Sequence, residues 1–180
     1  MAFLILSIIV ISIVGTFSHF TYDISNHNKI VGLFSAVNES TWEHIKIALT
    51  PTILWSLIDG LVYGTSANYF LAKLVSLIII IVLMPTLFYG YKFLLKKEIF
   101  IFDIIIFYIV IICSQLAFYY LIRMEDINYI YQYLSCVGVF AVFGGYMIHT
   151  LLPAKSFIFK DPISNKYGFK GHTEINDDKK

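Results

Sequence analysis

The chain has 180 residues, 58% hydrophobic and 14% charged, with a formal net charge of +1 and a mean hydropathy of +0.77. A soluble domain carries roughly a quarter charged residues, so this composition excludes an ordinary soluble fold and indicates an integral membrane protein. The near-neutral balance excludes a nucleic-acid surface. Cys113 and Cys136, each inside a separate apolar run, give no disulfide framework and no CxxC for a thiolate metal site.

Taken in order, the apolar runs at residues 2–20, 46–64, 70–94, 99–122 and 129–152 each have the length of about 20 residues that a helix needs to cross the hydrocarbon core. The first lacks a basic leader and an A-x-A-like cleavage site, so it reads as an uncleaved helix rather than a signal peptide. The expected fold is all-α: a polytopic bundle of five transmembrane helices over residues 1–153, then a polar cytoplasmic tail over 154–180, disordered past Gly171. With five spans, Lys29, Lys46, Lys92, Lys96, Lys97, Lys155, Lys160, Lys166, Lys170, Lys179 and Lys180 share one side. Only Lys73 and Arg123 fall on the other. The positive-inside rule then puts the N-terminus outside and the tail in the cytoplasm, and the expected location is a bacterial cell membrane.

The longest connection, residues 21–43, ends in the densest polar block before the tail, Asn38-Glu39-Ser40-Thr41-Trp42-Glu43-His44. Ser40 followed by Glu43 has capping-box spacing, and Trp42 at the water boundary reads as an interface anchor. Pro51 should kink the second helix. Asp59 and Lys73 lie seven residues either side of a tight turn centred at Ser66, so they should pair across a helical hairpin near the outer surface. Gly60 and Gly64 form one GxxxG, Pro85 marks the third span and Gln115 the fourth. Gly138, Ala141, Gly144 and Gly145 leave the fifth free to pack tightly or bend.

Five spans bring His19, Glu39, Glu43, His44, Asp103 and His149 to within about a turn of the same boundary. Ionisable groups at such depth face the bundle interior, so they should converge on one cytoplasm-facing cleft. His19, His44 and His149 are the candidate metal ligands, and Glu39, Glu43 and Asp103 the candidate ligands or bases. Imidazoles with a carboxylate suit zinc or another divalent metal with an open position for water. Two other arrangements use the same residues: Ser40 and His44, four apart, as nucleophile and base, and His19 with His149 as axial haem ligands.

The polar block, with His19-Phe20-Thr21-Tyr22 before it and Phe159-Lys160-Asp161-Pro162 and Tyr167-Gly168 after it, resembles an uncharacterised group of small bacterial multi-span membrane proteins filed as a domain of unknown function. That resemblance implies the same membrane architecture and no particular activity. A fainter similarity links the chain to the membrane hydrolases that include alkaline ceramidases and adiponectin receptors, where Glu, Asn, Ser and His surround a metal. This chain differs in having five spans instead of seven, and His149 alone where those proteins have His-x-x-x-His.

Three functions fit this reading. One is a metal-dependent hydrolase of lipid-like or small-molecule substrates. Another is a transporter or cation-binding protein with helices broken at Pro51, Pro85 and Gly144-Gly145, although no inverted repeat is visible. The third is a non-enzymatic membrane partner whose polar block only caps a helix. The bilayer is the one partner common to all three, and nothing in the pattern sets an oligomeric state.

Overall fold

The structure is a computed structural model that describes residues 1–172. Long apolar runs leave the backbone no partner but itself in a lipid environment, and all the long elements are helices. They are α1 (Ala2–Ser18), two short helices α2 (Thr21–Ile24) and α3 (Lys29–Gly32), then α4 (Thr41–Tyr63), α5 (Tyr69–Leu95), α6 (Phe100–Leu121) and α7 (Tyr129–Leu151). A 3-10 turn, Phe157–Phe159, and an isolated antiparallel bridge between Lys160 and Tyr167 follow. Among the described residues, α4, α5, α6 and α7 are long and apolar enough to cross a membrane. α1 is equally apolar but has 17 residues.

α4 sits between α1 and α5, and α5 packs on both α6 and α7. The core runs through Ile11 of α1, Ala48, Leu49 and Trp55 of α4, Leu77 and Ile80 of α5, and Val110 and Ile111 of α6. α7 is the least enclosed of the long helices. It buries only Ser135, Tyr146 and Thr150 and turns Tyr133, Leu134, Val137 and Phe140 outward, an apolar face suited to lipid.

Pro51 lies inside α4, where it removes the donor for the Ile47 carbonyl four residues back. α1 closes on that point. A Cβ added at Gly15 would stand 2.7 Å from Ile47 O and from Phe107 Cζ, so only glycine lets the three helices come this close. Gly144 and Gly145, expected to allow tight packing, have nothing within 4 Å of an added Cβ. Of the GxxxG pair, Gly60 meets the Tyr69 ring, whereas Gly64 faces its own helix.

The Asp59–Lys73 pairing forms as expected. The carboxylate and ammonium are in direct contact, both buried, with Lys73 Nζ also 4.5 Å above the Phe118 ring. Asn68 in the turn is fully buried, donating to the Met124 and Glu125 carbonyls and accepting from Ile127 N. The hairpin is thereby tied to the connection between α6 and α7. Cys113 and Cys136 are free, as expected.

Candidate functional site

The polar block does not lie open at the boundary. It is folded inward and held from several directions. Glu43 departs from the capping-box expectation: Ser40 makes no side-chain cap bond, and Glu43 Oε2 instead contacts Lys46 Nζ at 2.5 Å and accepts from Val37 N at 3.0 Å. A lysine one turn along, itself fully buried, is a stronger partner for a buried carboxylate than the N-cap amide. Lys46 also donates to Gly32 O at 3.0 Å, so this lysine is an internal brace and not part of the loop charge counted for orientation. Trp42 is likewise no boundary anchor. It is buried, packed against Tyr146, His149 and Phe159.

The segment after α7 closes the block from the other side. Asp161, fully buried, accepts from Glu39 N at 3.0 Å and from Ser164 N. Asn38 bonds Ser40 N through its oxygen and donates to Gly168 O at 2.9 Å. Phe169 lies against Tyr22, and Gly32 leaves the space that these rings fill. From α7, Tyr146 donates to Leu33 O and receives the Thr50 hydroxyl, both at 2.7 Å. Thr41 bonds the Tyr89 hydroxyl at 2.8 Å. The expected disorder past Gly171 concerns residues that lie, from 173 onward, outside the described ones.

This scaffold presents His19, Glu39 and His44 together. His19 Nε2 and His44 Nε2 are each 3.8 Å from Glu39 Oε2, the two rings are 5.8 Å apart, and one ligand atom from each of the three residues lies within 4.8 Å of the others. Their side chains are 30–43% exposed, so water and a ligand can reach them. His44 Nδ1 is 3.0 Å from Ser40 O. Donation to that carbonyl leaves the Nε2 lone pair aimed at the cluster, the outer-shell arrangement that orients metal-binding histidines. The same bond shows that His44 addresses the Ser40 carbonyl, not its hydroxyl as a nucleophile–base pair would. Nearby, burial first and then the Asp23 and Glu43 carboxylates hold the Tyr22 phenol above its ordinary value.

The other sequence-derived candidates stand outside this group. His149 packs its ring on Trp42 and Phe159 with Nδ1 buried and unbonded, so it joins neither His19 nor His44 among the possible metal-binding groups of the described residues. The Tyr91 hydroxyl donates to Asp103 at 2.5 Å, and Glu43 is committed to Lys46. Asp161 enters the sequence reading only within the stretch Phe159-Lys160-Asp161-Pro162, with no role assigned, although its bond to Glu39 N decides where Glu39 sits. A second group, Asp23, His27 and His172, also comes together without having been expected.

Helices of this length and hydropathy, joined by short connections, define a multi-pass membrane protein, here with a polar cluster beside the ends of its first two long helices. The chain belongs to a family of unknown function, DUF6512, whose model matches residues 1–169. No curated protein and no solved structure matches it.

Proposed function

We propose that the protein is a membrane-embedded metalloprotein with a divalent metal, zinc or a chemically similar ion, held by His19, Glu39 and His44, and that it hydrolyses ester, amide or phosphoester substrates at the membrane surface. The observation that carries this reading is the convergence of two imidazole nitrogens on one carboxylate oxygen, each 3.8 Å away. Bonds of about 2.1 Å at tetrahedral angles place ligand atoms about 3.4 Å apart; both imidazole–carboxylate separations are within a few tenths of an ångström of that, and all three ligand atoms lie within 4.8 Å of one another. Three protein ligands leave a fourth position for water, as catalytic zinc requires, and a metal there would supply Lewis-acid activation. The protein's own part is to hold Glu39 through Asp161, fix His44 through the Ser40 carbonyl and leave the outer side open.

In this proposal α1 is a fifth span, the N-terminus is outside, and the cluster and the segment after α7 face the cytoplasm of a bacterial cell. The lysine distribution supports that orientation. Reporter fusions after Lys97 and after Lys180 should both register as cytoplasmic, and an external signal at either refutes it.

The metal reading is tested on the full chain purified in detergent. Elemental analysis should find a transition metal lost in His44→Gln and Glu39→Gln and kept in His149→Gln. Hydrolysis of ester- and phosphoester-linked lipids should disappear with the same two variants and return on adding Zn2+ to chelated wild type. A metal content unchanged by His44→Gln rejects the site, and retained metal with no hydrolysis across those substrates rejects the enzyme.

A further inference from the structure

We infer that Asp23, His27 and His172 form a second divalent transition-metal site, one that clamps the segment after α7 to the connection after α1. His172 Nε2 lies 3.1 Å and His27 Nε2 3.4 Å from the same oxygen, Asp23 Oδ1, close to the roughly 3.4 Å between ligands of a tetrahedral zinc. The two imidazoles are 4.4 Å apart between centroids. Three ligand atoms, one from each residue, fall within 4.8 Å of one another.

The geometry differs from that of an ordinary aspartate–histidine contact. His172 Nε2 is buried and has no hydrogen-bond partner despite its distance from Asp23. Its nitrogen therefore approaches the carboxylate without the N–H direction a hydrogen bond needs. A cation placed among the three groups satisfies both lone pairs at once. The rings are also held in place from behind, because Tyr22, itself buried, packs at 5.3 Å against His27 and 5.1 Å against His172.

The backbone sets the approach of His27. Asn26 and His27 are consecutive residues in the left-handed region, with φ of +52° and +60°. Asn and His enter that region more readily than most residues with a side chain, and the turn is closed by backbone bonds from Asn26 N to Asp23 O and from His27 N to Tyr22 O. It brings His27 back over Asp23, four residues earlier, beyond the end of α2. His172 arrives from 149 positions further along than Asp23 (172 − 23), so a metal here crosslinks two segments that otherwise meet through the Asn38–Gly168 and Glu39–Asp161 bonds. It would steady the wall that positions Glu39 while leaving His19 and His44 untouched.

The test uses the full chain in detergent, titrated with Co2+ and read by its visible d–d absorption and by bound equivalents. Wild type should bind two equivalents. His172→Gln and His27→Gly should each lose one equivalent and its share of the absorption, while Asn26→Gly should keep both. His27→Gly relieves the left-handed strain as it deletes the ligand, so a folding defect does not explain its loss of metal; circular dichroism confirms the fold. If His27→Gly and His172→Gln bind as much Co2+ as wild type with the same spectrum, the second site is refuted. This proposal stands apart from the first cluster. One equivalent lost in His27→Gly but kept in His44→Gln supports the clamp and rejects the other site, and the reverse pattern rejects the clamp.

Discussion

Removing one member of the buried Glu43–Lys46 pair should be far more harmful than removing both. In wild type, the carboxylate is in contact with the ammonium at 2.5 Å and accepts from Val37 N, while Lys46 also holds Gly32 O. Both side chains are almost wholly enclosed. Lys46→Met leaves a buried carboxylate with one amide donor and an unbonded Gly32 carbonyl. Stranding a buried charge costs about 3–5 kcal/mol, and the lost carbonyl bond adds about 1 kcal/mol. For a chain of this size, at roughly 2–4 °C per kcal/mol, that is a fall in Tm on the order of 10 °C. Glu43→Gln combined with Lys46→Met removes both charges and keeps an acceptor for Val37 N, so it should recover at least half of the loss. Unfolding followed by near-ultraviolet circular dichroism, which reports on Trp42 and Trp55 in the core, measures all four members of the cycle. If Lys46→Met melts with wild type, or if the double variant is as unstable as the sum of the singles, the pair does not hold the block together.

Asp59→Ala should destabilise by a similar few kcal/mol by stranding Lys73 inside the hairpin, with Asp59→Ala/Lys73→Met milder, as read by the same melts. Gly15→Val should cost at least about 1–3 kcal/mol through collision with Ile47 O and Phe107, whereas Gly144→Ala should be neutral within about 0.5 kcal/mol; equal effects would mean that α1 does not close on α4 as described. Asp161→Ala, which orphans the Glu39 and Ser164 amides, should cost about 1–3 kcal/mol and weaken metal binding at the first cluster while His19 and His44 remain in place.

The long helices were legible because an apolar run of spanning length has only one low-energy backbone in lipid. The Asp59–Lys73 pair was legible for a related reason: a tight turn makes positions seven before and seven after it neighbours, so sequence distance alone brings them together. The site was legible in depth but not in direction. His19, His44 and His149 do share one end of the bundle, yet which way a side chain faces around its helix depends on packing, and Trp42 and Phe159 draw His149 away from the other two. Ser40 and Glu43 have the spacing of a capping box, but that spacing carries no information about a lysine one turn on that competes for the carboxylate. The bonds from Asn38 to Gly168 and from Glu39 to Asp161 have no periodicity to reveal them. They join irregular segments, so neither the role of Asp161 nor the meeting of His172 with Asp23 could be read from pattern.

Those two bonds span 130 and 122 positions, and this sets an order of events during synthesis. α1 and the connection carrying Glu39 are made early, but the residues that fix Glu39 emerge only after α4, α5, α6 and α7. Throughout that interval Asn38 and the Glu39 amide wait for partners that do not yet exist, so the helices can enter the bilayer before the cluster takes shape. Completion of the cluster is therefore the final step of assembly, and a polypeptide arrested after α7 would reach the membrane with its bundle made and Glu39 not yet held beside His19 and His44.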